Sequence, residues 1–553
     1  MAASELVCAS WEPGHDNCLK NGRYSCKGCL LVTPDCKSPL GRKNWLPAWF
    51  LENRKPSFIG PEIGKPFGAR KHLWGNVPAI DVLGLGANEG DEYGRDLRLL
   101  FAASGDLRNL VKTIAQLPSS YSHSIEATIN DRDLDVMARN VILLLIALVV
   151  QDVEEKIDCM IHVWYSVLIR KTDNDLVQHH IRPLIEAVCA KIKDKDPGSL
   201  LGKTWEFGRR SLRVVLEKRS WDCLLSFLDV PSGLTAERAL EIRAAVTNAG
   251  TRRDHRHRRL YCLSPSHRIA TNQFWEEGLL LPFGSRRADF CQPNPTFFQS
   301  PDTWPMTDSA DPLDGWYSKD VAETSHGPAT ADLYGKLFFH IRSTLRSFLA
   351  RLSDSPVTFQ IFQVDVAELP RHLEPGSFGR IEASNLADNC WLGIVRTLAL
   401  MVPLLQVPLD NPHATLITLF MNAVMEATTM QDNFDRIGPT TKPLVKYLPK
   451  LGPHEVSTVS TYHPEIIKFA LGRDVVSTYD HIFDRYSQGF SEVANMLGAA
   501  MREKHIIVEK FPFSLKLMPG QPGAQEEFDR LLGGGESGMV RYVEWRRIDP
   551  ALF

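Results

Sequence analysis

Eleven cysteines occur in the chain, and five of them, Cys8, Cys18, Cys26, Cys29 and Cys36, fall within its first 36 residues. Their spacing is C-x9-C-x7-C-x2-C-x6-C, with His15 inside the first interval. The Cys26-Lys27-Gly28-Cys29 step is a knuckle of the kind zinc favours: a tight turn brings two thiolates to one side, and Gly28 permits the backbone angles it needs. The opening MAASELVCASWEPGHD has no basic start followed by an apolar run, so no secretory signal is expected. In a reducing compartment clustered thiols read as metal ligands, while the scattered Cys159, Cys189, Cys223, Cys262, Cys291 and Cys390 read as small hydrophobes. Zinc would also supply the folding free energy that some 30 residues with little apolar content lack.

The bulk of the chain narrows the remaining classes. At 553 residues it exceeds one ordinary core and suggests two to four units. A hydrophobic content of 44% with 23% charged residues argues for a folded body rather than disorder. A net charge of −3 gives no general attraction to nucleic acid or anionic lipid. The longest apolar run, Val141–Val150, is well short of the roughly 20 residues of a membrane span and reads as a buried helix. A cytoplasmic or nuclear protein is expected, with no membrane partner and with nucleic acid disfavoured.

The elements that would position any chemistry begin near residue 96, after a Pro/Gly-rich stretch (41–95) pinned by Trp45, Trp49, Phe58 and Trp74. Leu97–Ala103 has the continuous apolar character of a central parallel strand. The turn Ser104-Gly105-Asp106 leads into a helix over Leu107–Leu117, and a second strand, Ile125–Ile129, ends at Asn130-Asp131. Asp133 or Asp135 is placed to cap a long helix running to about Val150. This order opens a parallel, doubly wound sheet. Residues 155–280 read as mostly helical, and their basic run from Arg252 to Arg259 reads as a solvated loop. Residues 292–330, rich in Pro, Asp and Ser, read as a long loop or linker. A helix at Ala331–Leu352 precedes candidate strands at Val357–Val366, Gly379–Ala383 and Thr415–Phe420, with a helix near Trp391–Leu405. The C-terminal region offers a long helix at Ser477–Arg502 and strands at Ile506–Leu517 and Val540–Trp545.

Cys8, Cys18, Gly22 and the run SCKGCLLV resemble the first half of a fungal MYND-type zinc finger. Asp35-Cys36-Lys37-Ser38-Pro39-Leu40, with WLPAW and ENRKPSF after it, resembles the segment that follows such fingers. The stretch with further Cys and His ligands that the family carries between these halves is absent here, where Val32 passes through Thr33-Pro34 to Asp35-Cys36. The resemblance implies two interleaved zinc sites with eight ligands, but this segment offers six candidates, five Cys and His15. At most one self-contained tetrahedral zinc is therefore expected, on Cys18, Cys26, Cys29 and Cys36 or on the first four cysteines. A skipped exon would account for the same gap. The family binds short proline-containing peptides, so the resemblance implies a protein partner.

HLWGNVPAIDVLGLGANEG, LRLLFAASGDLRNLVKT and INDRDLDVMARNVILLLIAL resemble domain family 4470, a domain of unknown function that often follows a MYND finger in fungi. It is also similar to the N-terminal part of dynein axonemal assembly factors. The expected division is a finger remnant over 1–40, the first part of the α/β body over 41–150, a helical insertion over 151–291, a linker or loop over 292–330 and a completing α/β part over 331–553. The α/β body is expected to be doubly wound and methyltransferase-like. Ser104, Gly105 and Asp106 at the first strand–helix turn, with Asn130 and Asp131 at the second strand end, would be the cofactor-binding residues for S-adenosylmethionine. The first turn has one glycine and lacks the G-x-G of close cofactor approach. Arg380, Glu382, Ser384, Asn385 and Asp388 end a later strand on the same expected side, where turn and cap chemistry explains them most simply. No G-x-S-x-G, H-E-x-x-H or G-x-x-x-x-G-K occurs, so hydrolase and nucleotide-triphosphatase readings lack support. The leading expectation is a zinc-binding protein-interaction or assembly factor, and the competing one a methyltransferase.

Overall fold

The structure, a computed structural model, describes residues 39–60, 66–283, 285–325, 330–448 and 462–548. Cys8, Cys18, Cys26, Cys29, Cys36 and His15 lie outside the described residues. Among those described, the strands are β1 (Leu97–Ala102), β2 (Ile125–Asn130), β3 (Leu168–Arg170), β4 (Leu200–Phe207), β5 (Arg210–Glu217) and β6 (Phe290–Pro293). They continue with β7 (Val357–Phe362), β8 (Arg380–Glu382), β9 (Thr415–Phe420), β10 (Ala499–Met501) and β11 (Arg541–Arg547).

Nine of these form one sheet in the order β10-β11-β9-β8-β1-β2-β7-β5-β4, while β3 and β6 pair separately. β1, β2, β5, β7, β8 and β9 run parallel. β11 is antiparallel to β9 and β10, and β4 is antiparallel to β5. The mixed α/β class expected from the strand–helix alternation is what the chain adopts.

The central strands are apolar throughout because both faces are covered. Leu97, Leu99 and Phe101 of β1 join one core with Ile125, Ala127 and Ile129 of β2. Leu100 and Ala102 point the other way, into a second core with Ile381 and Phe362. The first core is roofed by the helices Arg108–Ala115, Leu134–Val149 and Leu333–Asp354, and the second by Gly393–Met401, Asp480–Tyr486 and Phe490–Met496. Asp133 caps the Leu134–Val149 helix by accepting from the Asp135 N–H at 2.8 Å. Among the described residues no helix is long and apolar enough to cross a membrane.

Several local expectations are corrected. Within 155–280 the β4–β5 hairpin extends the sheet beside β7, turning on Gly208-Arg209 with Gly208 at φ +66, a conformation that favours glycine. The Arg252–Arg259 run is not a solvated loop. It forms most of the helix Arg253–Tyr261, because distant acids meet it: Asp308 on Arg252 at 2.7 Å, Glu52 on Arg253 at 2.7 Å and Asp311 on Arg259 at 3.1 Å. Within 292–330, Phe297, Phe298, Trp304 and Trp316 are buried, so this stretch packs into the body. The long helix expected over Ser477–Arg502 is split, with Gly489 at φ +86 between its two pieces. Ile506–Leu517 is irregular because its first amides have another acceptor: the Glu544 carboxylate takes the N–H groups of Ile506, Ile507 and Val508 at 2.7–2.9 Å.

Candidate functional site

The C-terminal ends of β1, β2 and β8 lie side by side, and the chain leaves each through a turn rich in polar groups. β1 runs out through Ala103 (φ +51), Ser104 and Gly105 (φ +61). Two left-handed residues so close together reverse the chain within one turn, and at Ala103 this stores strain. The turn is tied to β2 by the Ser104 N–H, which donates to the Asn130 carbonyl at 2.9 Å. Asn140, inside the mostly apolar Leu134–Val149 helix, donates its amide to the Gly105 carbonyl at 2.8 Å.

The structure therefore brings Ser104, Gly105, Asp106, Asn130 and Asp131 together, and most of their polar groups bond within the protein. Asp131 accepts from the Gly105 N–H at 3.1 Å and from the Asp133 N–H at 2.9 Å. Asn130 donates to the carbonyls of Phe362 and Val364, both at 2.9 Å, leaving its own side-chain oxygen without a donor. Asp106 accepts from the Gly75 N–H at 3.0 Å and pairs with Arg108 at 2.6 Å. The Ser104 hydroxyl donates to the Gly105 carbonyl at 3.3 Å. Burial pushes the Asp131 carboxyl above its ordinary range, with the two backbone donors opposing that rise.

Behind the turn sits a buried polar knot. Arg108 reaches the Val77 carbonyl at 2.9 Å as well as Asp106. Arg139 donates to the Trp164 carbonyl at 2.7 Å and to Thr296, and lies over the Phe297 ring at 4.1 Å. Desolvation pushes it down to about 9, against the opposing pull of Asp106. Glu382, from the end of β8, accepts from the Ser384 N–H at 2.7 Å, and burial pushes its carboxyl up to about 7 against the opposing pull of Arg108. A carboxyl near neutrality suits proton exchange. At 3% exposure, however, Glu382 is enclosed by the protein.

The other polar residues at the β8 end are structural. Arg380 is buried against Glu89 at 2.9 Å, and Asp388 accepts from the amides of Met421 at 3.1 Å and Asn422 at 3.2 Å. Ser384 holds φ +44 to make the turn. Sequence reasoning missed Arg108, Arg139 and Asn140. The available signal was an Arg-Asn pair interrupting the apolar run of the Leu134–Val149 helix, since a buried polar pair requires a partner. Among the described residues no group of three or more His, Cys, Asp or Glu side chains is arranged to hold a metal.

Residues 73–169 match the family model described as Domain of unknown function (DUF4470), a span holding β1, β2, the turn between them and all five candidate cofactor residues. No curated protein and no solved structure matches the chain.

Proposed function

We propose that this chain is a zinc-binding interaction or assembly protein whose body has the topology of a class I methyltransferase without using its cofactor. The seven strands β10-β11-β9-β8-β1-β2-β7, with β11 reversed, follow the order of that fold, which supports the topological reading. One observation carries the functional one: both Asp131 oxygens, where a cofactor ribose would be held, already accept N–H groups of the protein's own turns. Each of these oxygens keeps one further lone pair, so a ribose hydroxyl there would have to share an oxygen that already braces the turn.

The zinc reading rests on the donor set Cys8, Cys18, Cys26, Cys29 and Cys36 with His15, soft thiolates and an imidazole of the kind zinc takes. The MYND resemblance adds a proline-containing peptide as the partner class, and a cytoplasmic or nuclear setting keeps the thiols reduced. A second reading, an S-adenosylmethionine-dependent methyltransferase, is favoured by the strand order and by open space at Gly105, where an added Cβ would meet nothing within 4 Å. Metal analysis of the intact purified chain tests the zinc proposal. About one zinc per chain is expected, lost when Cys26 and Cys29 are both replaced by Ser; a value near zero in the parent protein would remove it.

A further inference from the structure

The two edges of the nine-stranded sheet are unlike each other. One is β10, three residues long; the other is β4, which runs for eight residues from Leu200 to Phe207. A long edge strand presents a row of unpaired amides, a template on which a further strand can form. The direction of those amides follows from the bonds around them. The Val215 carbonyl of β5 accepts the Gln363 N–H at 3.1 Å and so points toward β7, whereas the Lys218 N–H donates back to the Ser199 carbonyl at 2.9 Å. By the alternation of an antiparallel pair, the amides of Leu201, Lys203, Trp205 and Phe207 face β5. Those of Leu200, Gly202, Thr204 and Glu206 point outward. All four of these residues are exposed, and among the described residues their amides have no protein partner.

Gly202, Thr204 and Glu206 share one face of the hairpin with Arg213, which stands opposite Thr204. The Arg213 guanidinium lies across Gly202, since a Cβ there would stand 3.3 Å from it. Arg213 and Glu206 are both exposed, and neither has an ion-pair partner among the described residues.

We propose that a second copy of this chain pairs with β4 through its own β4, antiparallel, about a twofold axis at Thr204. Gly202 then stands opposite Glu206 of the second copy, and Thr204 opposite Thr204 of the second copy, each pair exchanging both amide bonds. Glu206 of the second copy enters beside Gly202, where Arg213 lies, so the unpaired acid and the unpaired guanidinium meet twice across the axis. On the other face Leu201 stands opposite Phe207 of the second copy. Neighbouring registers lose this match. A one-residue shift sets outward amides against inward ones. An axis at Lys203 would oppose the two Lys203 ammonium groups, and one at Gly202 would carry Glu206 past the end of the strand. An unrelated extended segment would find the same amides without the Glu206–Arg213 match, which is why a second copy is the occupant.

Sedimentation equilibrium of the intact chain under reducing conditions tests the pairing. A dimer that dissociates on dilution is expected. Thr204→Pro removes an N–H that points away from β5, so the melting temperature should hold while dimer affinity falls at least about ten-fold. Arg213→Glu and Glu206→Arg, both at exposed positions, should each weaken the dimer at least about ten-fold by setting like charges together. The two changes combined should restore affinity to within about three-fold of the parent, which reads the register itself and does not depend on the proline variant folding. A parent chain that stays monomeric at about 50 μM would overturn the proposal. So would a dimer indifferent to a folded Thr204→Pro, or charge reversals whose effects add with no recovery in the combined variant.

Discussion

Replacing Glu382 by Gln should stabilise the protein at pH 8 and leave it almost unchanged at pH 5. Glu382 is 3% exposed at the end of β8, and its carboxyl is pushed from 4.5 up to about 7, chiefly by burial. A carboxyl raised in the folded state binds protons there that the unfolded chain has already released. Stability therefore falls as pH rises from about 4.5 to about 7, and the whole cost is present at pH 8. At about 1.4 kcal/mol per pH unit, that window corresponds to roughly 3 kcal/mol. Glutamine keeps an oxygen for the Ser384 N–H but loses the attraction to Arg108, so the net gain at pH 8 is expected at about 1–3 kcal/mol. Urea unfolding of both proteins at pH 5, 6, 7 and 8 reads this directly, through midpoints at constant slope. A difference that does not change with pH, or a less stable variant at pH 8, would refute the assignment of a raised, buried carboxyl.

Two further substitutions test how the site and its cover are held. Asp131→Ala should lower stability by about 1–3 kcal/mol in urea unfolding, because it strips the acceptor from the Gly105 and Asp133 amides; unchanged stability would mean that Asp131 does not brace the turn. Asp254 holds Arg54 at 2.8 Å and the Ser57 N–H at 2.8 Å, tying the segment around residues 52–58 to the Arg253–Tyr261 helix. Asp254→Ala should cost about 1–3 kcal/mol and speed protease cleavage within residues 50–60, and an unchanged cleavage rate would contradict that anchoring.

Much of the central architecture could be read from local sequence. β1 and β2 announce themselves as apolar runs because burial on both faces removes any reason for alternation, and Asp133 marks its helix start because a cap acts within three residues. The placement of β5 beside β7 could not be read in this way, since strand pairing across the long segment between β2 and β7 is a nonlocal choice. Ile506–Leu517 looked like a strand by composition, and Glu544, distant in sequence, decided otherwise. At the site the polar residues at both strand ends were legible, because turns after buried strands require them. Their partners were not: Gly75 comes from the segment before β1, and Asn140 from the interior of an apolar helix. Whether a strand-end aspartate meets a ligand or the protein's own amide depends on such distant contacts.

The closed strand-end turn is tested most directly by isothermal calorimetry of the intact chain with S-adenosylmethionine, paired with its melting curve. With the Asp131 and Asp106 oxygens already engaged, no heat of binding and no rise in melting temperature is expected. A one-to-one binding heat, with stabilisation near 2.7 kcal/mol at about 100 times Kd, would contradict the closed turn and restore the methyltransferase reading.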